Sequence, residues 1–301
     1  ISACLVGSEM CIRDSTREAS EEFGIPKGVP VIVGTTDQAC EAFGTGTIRA
    51  GSGLIKLATA GNVGVVTEHP HPDPPHVYAY YHLKQGLWYT LSGTSSCAVC
   101  YKWIRDLLFE NGSRVAGSEE DSIYTEMDRL ASAIPTGSEG LIFHPYFQGS
   151  LSDPYLRADF LGLTLRHRRE HILRATLEGV AFSLYECLLK EEKMGVASED
   201  FRIIGGGSRS PLWRRIICDV FGREMIRVEQ DDSSFGTAML AGVGIGFFQD
   251  IDAAVKRCVK TVDKISPDSE NHKTYRTYFE YFSESQTALK STYHSLHRLL
   301  L

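Results

Sequence analysis

The chain contains no uninterrupted apolar run of about 18 residues, the length a membrane-crossing helix needs, so no span is expected. It has no excess of positive charge. Lys and Arg number 31 against 38 Asp and Glu, a net charge of −7, which argues against nucleic-acid and anionic-membrane partners. It has no Walker A loop and no G-x-G-x-x-G fingerprint, so the usual P-loop and dinucleotide readings lose their support. It has no fixed-period repeat, no low-complexity tract and no Pro/Gly/Ser-rich linker. A disulfide framework is also missing. The eight cysteines, at 4, 11, 40, 97, 100, 187, 218 and 258, scatter through apolar patterns, as expected for reduced thiols in a cytoplasmic protein. Cys97-x-x-Cys100 has no second pair and no nearby His to complete a zinc site.

What is present is an ordinary globular composition, 43% apolar and 23% charged over 301 residues. Residues 1–15 have no initiator Met, no basic start and no clear period. They are expected to be a non-native leader and are set apart from the fold. A polar helix is expected over 15–23, closed by Gly24, and a buried strand over the β-branched run 29–33. Residues 35–43 read as a helix. Residues 47–49 and 54–58 read as a hairpin around Ala50-Gly51-Ser52-Gly53, continued by 63–66. A loop over 68–76 holds four of the eleven prolines. Strands are expected at 77–82, 87–91, 141–143, 201–204 and 225–228, and helices at 96–109, 121–133, 168–194, 211–221, 235–248 and 268–301. Hairpin strands followed by alternating strands and helices predict an α/β fold, a mixed sheet with helices on its faces.

Three segments carry candidate chemistry. In F-R-I-I-G-G-G-S-R-S-P-L-W (201–213) a strand ends in Gly205-Gly206-Gly207, followed by a helix with Pro211 in its first turn. Glycines let backbone amides approach a bound group, and the helix start favours an anion. The stretch suits a phosphate or a tight strand-to-helix turn. In G-T-T-D-Q-A (34–39), Asp37 follows a strand and suits either a general base in phosphoryl transfer or a helix N-cap. In L-A-T-A-G-N (57–62), Thr59 lies in a turn that could cradle an anion or simply reverse the chain. His69, His71 and His76 with Asp73 read as a solvated loop, and Trp103, Trp213 and the aromatics at 277–282 as packing residues.

Together these pieces resemble the carboxyl-terminal half of the FGGY family of carbohydrate kinases. The longest match is A-D-F-L-G-L-T-L-R-H-R-R-E-H-I-L-R-A-T-L-E (158–178), which fits the family's second signature. The segments 205–213 and S-F-G-T-A-M-L-A-G (234–242) match its glycine-rich nucleotide motif and the next helix. The resemblance runs from about residue 16 to 250 and extends to the C-terminal helix.

The resemblance implies an actin-like ATPase, ribonuclease H-like fold and an ATP-dependent sugar kinase with Mg2+. By matching position, Asp37 would be the catalytic base and Gln38 a sugar contact. Thr59, Gly61, Ala98, Lys102, Gly205, Gly206, Gly207 and Ser210 would line the nucleotide. Two departures are visible: Ala58-Thr59-Ala60 stands where the family has Gly-Thr-Gly/Ser, and Ala98 where it has Gly. The family's opening D-x-G-T-T motif is missing from the chain. Residues 16–44 are therefore expected to be the last piece of a first domain and 45–301 the second, nucleotide-binding domain. Most Mg2+ and sugar contacts would lie in a missing amino-terminal part, and the fragment alone would be inactive. The expected partners are ATP and a small sugar, with no nucleic acid and no membrane; a homodimer is one assembly compatible with the resemblance. The expected acceptor is a ketopentose such as D-xylulose. Ribulose, glycerol and gluconate stay open, as does a non-kinase nucleotide-binding protein of the actin or chaperone-ATPase kind.

Overall fold

The computed structural model describes residues 12–109 and 120–299. The chain opens with β1 (Ile12–Asp14), α1 (Arg17–Phe23) and β2 (Pro30–Ile32), the two strands pairing antiparallel. The Thr16 hydroxyl caps α1 by accepting from the Ala19 amide at 3.2 Å, and Gly24 ends it at φ 67°. Then follow α2 (Asp37–Gly44), β3 (Ser52–Leu57), β4 (Gly61–Thr67), β5 (Tyr78–Tyr81), β6 (Trp88–Thr94), α3 (Ala98–Leu108) and α4 (Glu120–Ser132). The second half comprises β7 (Ile142–His144), β8 (Asp159–Leu161), α5 (Arg169–Lys193), β9 (Asp200–Ile204), α6 (Pro211–Phe221) and β10 (Glu224–Val228). It closes with α7 (Ser233–Gly244), α8 (Ile251–Cys258), β11 (Thr261–Ile265) and α9 (Ser269–Arg298).

Seven strands form one mixed sheet in the order β11-β10-β9-β3-β4-β6-β5, and β7 pairs with β8 in a separate ribbon. Alternation along the central strands sends side chains to two cores. Ile55, Leu57, Val63 and Val65 join residues of α3, α5, α6 and α9 in the larger one. Val66 and Tyr89 join Phe43, Met239, Leu240 and Ala254 of α2, α7 and α8 in the smaller. The long helix α5 is buried around most of its circumference, so its apolar face is broader than a surface helix requires.

Several sequence expectations change. The run 29–33 is not buried: Val29, Val31 and Val33 are 39%, 50% and 48% exposed. β-branched residues favour a strand, but burial depends on what packs over it. Residues 47–49 are not a strand; the hairpin is β3–β4, with its turn at 58–60. The strands β8 and β11 and the helix α8 lie outside the sequence reading. Trp103 is 44% exposed and packs one face on Phe147, with ring centroids 4.8 Å apart, whereas Trp213 is buried. Of the suspected leader, residues 1–11 lie outside the described residues and Ile12–Asp14 form β1.

Candidate active site

The strands β3 and β9 are parallel neighbours, in register from Ser52 opposite Asp200 to Lys56 opposite Ile204. Both therefore deliver the chain to the same end of the sheet, where the 58–60 turn follows β3 and the glycine turn follows β9. The glycine turn packs on Leu57, the residue just before the other turn. Gly205 sits at φ 86°, and a Cβ on it would lie 2.7 Å from the Leu57 carbonyl oxygen. A Cβ on Gly207 would lie 2.7 Å from the Trp213 ring and 2.8 Å from Leu57 Cβ. Gly206 differs: a Cβ there would meet nothing within 4 Å. Gly205 and Gly207 thus allow close packing, and Gly206 faces open space.

A short 3-10 helix, Gly206–Arg209, joins this turn to α6. Its first two amides, on Gly206 and Gly207, have no protein acceptor among the described residues, as expected at an uncapped helix start. The Gly205 amide donates to Asp231 Oδ2 at 3.2 Å. The carbonyls of Gly205 and Gly207 accept from the Ser208 and Ser210 amides at 3.0 and 3.2 Å. The Ser210 hydroxyl accepts from the Trp213 amide at 2.9 Å and caps α6. Ser210 also reaches Asp128, whose carboxyl is pushed up by burial against hydroxyl bonds from Ser210 and Tyr101.

The 58–60 turn is braced by α3. Ala58 and Thr59 offer their carbonyls to the amides of Ala98 (2.8 Å) and Cys97 (2.9 Å). The Ala98 amide therefore holds the turn. Thr59 is exposed, as is Lys102 one helical turn beyond Ala98. Gly61 faces inward: a Cβ there would lie 2.9 Å from both Cys97 Cβ and Leu184 Cδ2. Cys97 and Cys100 are buried free thiols, and burial pushes Cys100 up to about 12, so neither carries thiolate chemistry.

On the other face of the sheet, Thr36 takes the cap of α2, its hydroxyl accepting from the Ala39 amide at 3.3 Å. Asp37 is the first helical residue, and its carboxylate has no hydrogen-bond or ion-pair partner among the described residues. Gln38 borders a small enclosed chamber of about 30 Å³ shared with Glu41, Lys56, Asn62 and Tyr89. Lys56 Nζ donates to Glu41 Oε1 at 2.6 Å, while Glu41 Oε2 is buried without a partner. Burial raises the Glu41 carboxyl, Lys56 opposes that, and Asp37 and Asp231 add to it. The sequence reading missed Glu41, Lys56, Asp128 and Asp231. The doublet Asp231-Asp232 before α7 was the available signal, because Asp232 caps that helix and Asp231 is left over for Gly205.

No group of three or more His, Cys, Asp or Glu side chains is arranged to hold a metal ion among the described residues. The residues present do not by themselves form a Mg2+ site. No helix among them is long and apolar enough to cross a membrane.

The model of the C-terminal domain of the FGGY family of carbohydrate kinases matches residues 53–245. The chain belongs to this family. It is 28% identical over 283 residues to the xylulose kinase of Staphylococcus epidermidis, covering 92% of this chain and 55% of that protein. It is 28% identical over 294 residues to the gluconokinase of Bacillus subtilis, covering 96% of this chain and 57% of the relative. The crystal structure of xylulose kinase from Rhodospirillum rubrum superposes with TM-score 0.83 at 31% identity, over 93% of this chain and 56% of that one. The chain thus spans little more than half the length of these FGGY kinases. The α/β, actin-like architecture expected from the sequence is the architecture found. Carbohydrate kinases are phosphotransferases, and the two turns lie within the matched segment.

Proposed function

We propose that the protein transfers the γ-phosphoryl group of ATP to a ketopentose, D-xylulose in the first instance, giving ADP and D-xylulose 5-phosphate in the cytoplasm. The observation that carries this reading is the close packing of the glycine turn on the end of β3, beside the 58–60 turn, with the Gly206 and Gly207 amides unclaimed. Backbone amides at a helix start favour phosphate oxygens. In this reading Gly206 and Gly207 approach the phosphates, Gly205 lets the glycine turn close on β3, Gly61 lets the other turn close on α3 and α5, and the Thr59 hydroxyl adds a donor. Ala98 braces the turn, Lys102 supplies a nearby cation and Ser210 borders the base. Asp37 accepts the proton of the attacking sugar hydroxyl as its oxygen bonds to phosphorus and the bond to ADP breaks. Its freedom from cap and salt-bridge duties suits that role. Gln38 holds the sugar. Residues 16–44, including Asp37, would close a first domain whose remainder lies outside this chain.

Gluconate is the second acceptor to test, because gluconokinases stand beside xylulose kinases among the relatives. The deciding measurement is ADP release by the full-length protein with D-xylulose, D-ribulose, glycerol and D-gluconate. The highest kcat/KM is expected for D-xylulose. A preference for gluconate would move the assignment to a gluconokinase, and ATP binding without transfer to any acceptor would favour a non-kinase nucleotide-binding protein.

A further inference from the structure

Arg214, in the first turn of α6, is only 6% exposed. Its Nη1 donates to the Ser208 carbonyl at 2.5 Å and to the Arg209 carbonyl at 3.3 Å. Its Nη2 lies 3.6 Å from Asp263 Oδ2, and its Nε is buried without a partner. Burial lowers the guanidinium from its usual range, Arg227 lowers it further, and Asp263 only partly opposes this. A buried cation is costly unless its environment engages it. Here the shortest bonds come from the Ser208 and Arg209 carbonyls, with Asp263 farther off.

The consequence lies in the direction of the peptide dipoles. Each peptide unit whose carbonyl is held on the protein side turns its amide the other way. Ser208 and Ser210 amides hold the carbonyls of Gly205 and Gly207, and Arg214 holds those of Ser208 and Arg209. Of these held carbonyls only that of Gly205 shares a peptide unit with a free amide, that of Gly206; Arg214 acts at the far end, fixing the last carbonyls of the 3-10 helix whose first amides, on Gly206 and Gly207, stay free. We propose that Arg214 is a positioning residue for the nucleotide: it touches no phosphate but orders the turn that does. The inference rests on the nucleotide reading of that turn given above.

The test is steady-state kinetics of the full-length protein carrying Arg214→Met, Arg214→Lys or Gly206→Val, with thermal melts alongside. Arg214→Met should raise KM for ATP about tenfold, leaving kcat within about twofold and the sugar KM unchanged. Arg214→Lys keeps the charge but has one nitrogen for two carbonyls, and should raise KM for ATP about threefold. Gly206→Val should abolish ATP binding while the fold is retained. Folded Arg214 variants with wild-type KM for ATP, beside a Gly206→Val protein that no longer binds ATP, would overturn the positioning role alone. ATP binding by Gly206→Val would instead remove the nucleotide reading of the turn. If Arg214→Met does not fold, Arg214→Lys decides: a raised KM supports the role and an unchanged one ends it.

Discussion

Two acidic residues show how differently this protein uses a carboxylate. Glu178, on α5, is 2% exposed and accepts from the Gly137 amide (3.0 Å), the Ser138 hydroxyl (2.7 Å), Arg174 (2.8 Å) and Tyr275 (2.9 Å). It fastens α5 to the 137–140 turn and to α9. Asp37, on α2, has its cap taken over by Thr36 and has no such partner. The first carboxylate has all its bonds within the fold; the second has them available for a ligand. Satisfied buried polar groups rigidify, whereas an unclaimed one at a helix start is available for chemistry. The comparison also bears on the 158–178 signature, whose last residue is Glu178. Its final turn fastens elements together on the face of the sheet opposite Asp37.

If that contrast holds, removing each carboxylate should fail in a different assay. Asp37→Asn in the full-length protein should lower kcat by roughly 10²–10⁴-fold, the usual contribution of a general base, with ATP KM and melting temperature little changed. A folded Asp37→Asn enzyme with normal kcat would erase the distinction. Glu178→Ala should do the reverse. It leaves Arg174 buried without its counter-ion, bonded only to the Tyr275 hydroxyl, and should cost about 3–5 kcal/mol, read as a melting point lower by roughly 10 °C, with kinetics near normal wherever the protein stays folded. Loss of kcat without loss of stability would place Glu178 in the chemistry instead. Thr59→Ala tests the proposed phosphate contact. Losing one hydroxyl bond to a charged group should weaken ATP binding by about 1.5–3 kcal/mol in a calorimetric titration, without moving the melt.

Glu191 lies between these extremes. It is fully buried, bonded to Thr90, with Oε1 unpartnered, and burial pushes its carboxyl up to about 8 from 4.5. Between those values the folded protein holds a proton that the unfolded chain has released. The group's contribution is therefore intact below about pH 4.5 and is lost as pH rises through about 8. Glu191→Gln removes that titration. Its melting point should match wild type near pH 5 and exceed it by a few degrees near pH 8.5; parallel melting curves across that range would show that Glu191 does not titrate there.

Much of this was legible in the residues. The glycine turn, the start of α6 and the span of α5 follow from local chemistry: Pro211 starts one helix, and dense apolar spacing marks the other. Asp37 was visible as a site candidate, but not as one relieved of its cap by the neighbouring Thr36, because both residue types cap helices. The Glu41–Lys56 pair was invisible. Fifteen positions separate the two residues, and only the packing of α2 over β3 brings them together. The strand β11 was missed because Thr261–Ile265 is a largely exposed edge with no clear apolar alternation. Gly61, Gly205 and Gly207 read as ligand contacts in sequence; the structure adds that the missing Cβ of each leaves room for neighbouring protein atoms, while the Gly207 amide stays free.

The pairing of β3 with β9 also sets the order in which the molecule can assemble. Strand neighbours at Ser52 and Asp200 are separated by most of the hairpin region and all of α5. Closing so long a loop is slow compared with forming the β3–β4 hairpin, whose strands are adjacent in the chain. During synthesis the hairpin and its 58–60 turn are therefore complete well before the glycine turn exists. A nascent chain without β9 has only one of the two turns. The pairing of the turns is a late product of folding, so under the proposed reading a nucleotide would stabilise the finished protein without guiding its early steps.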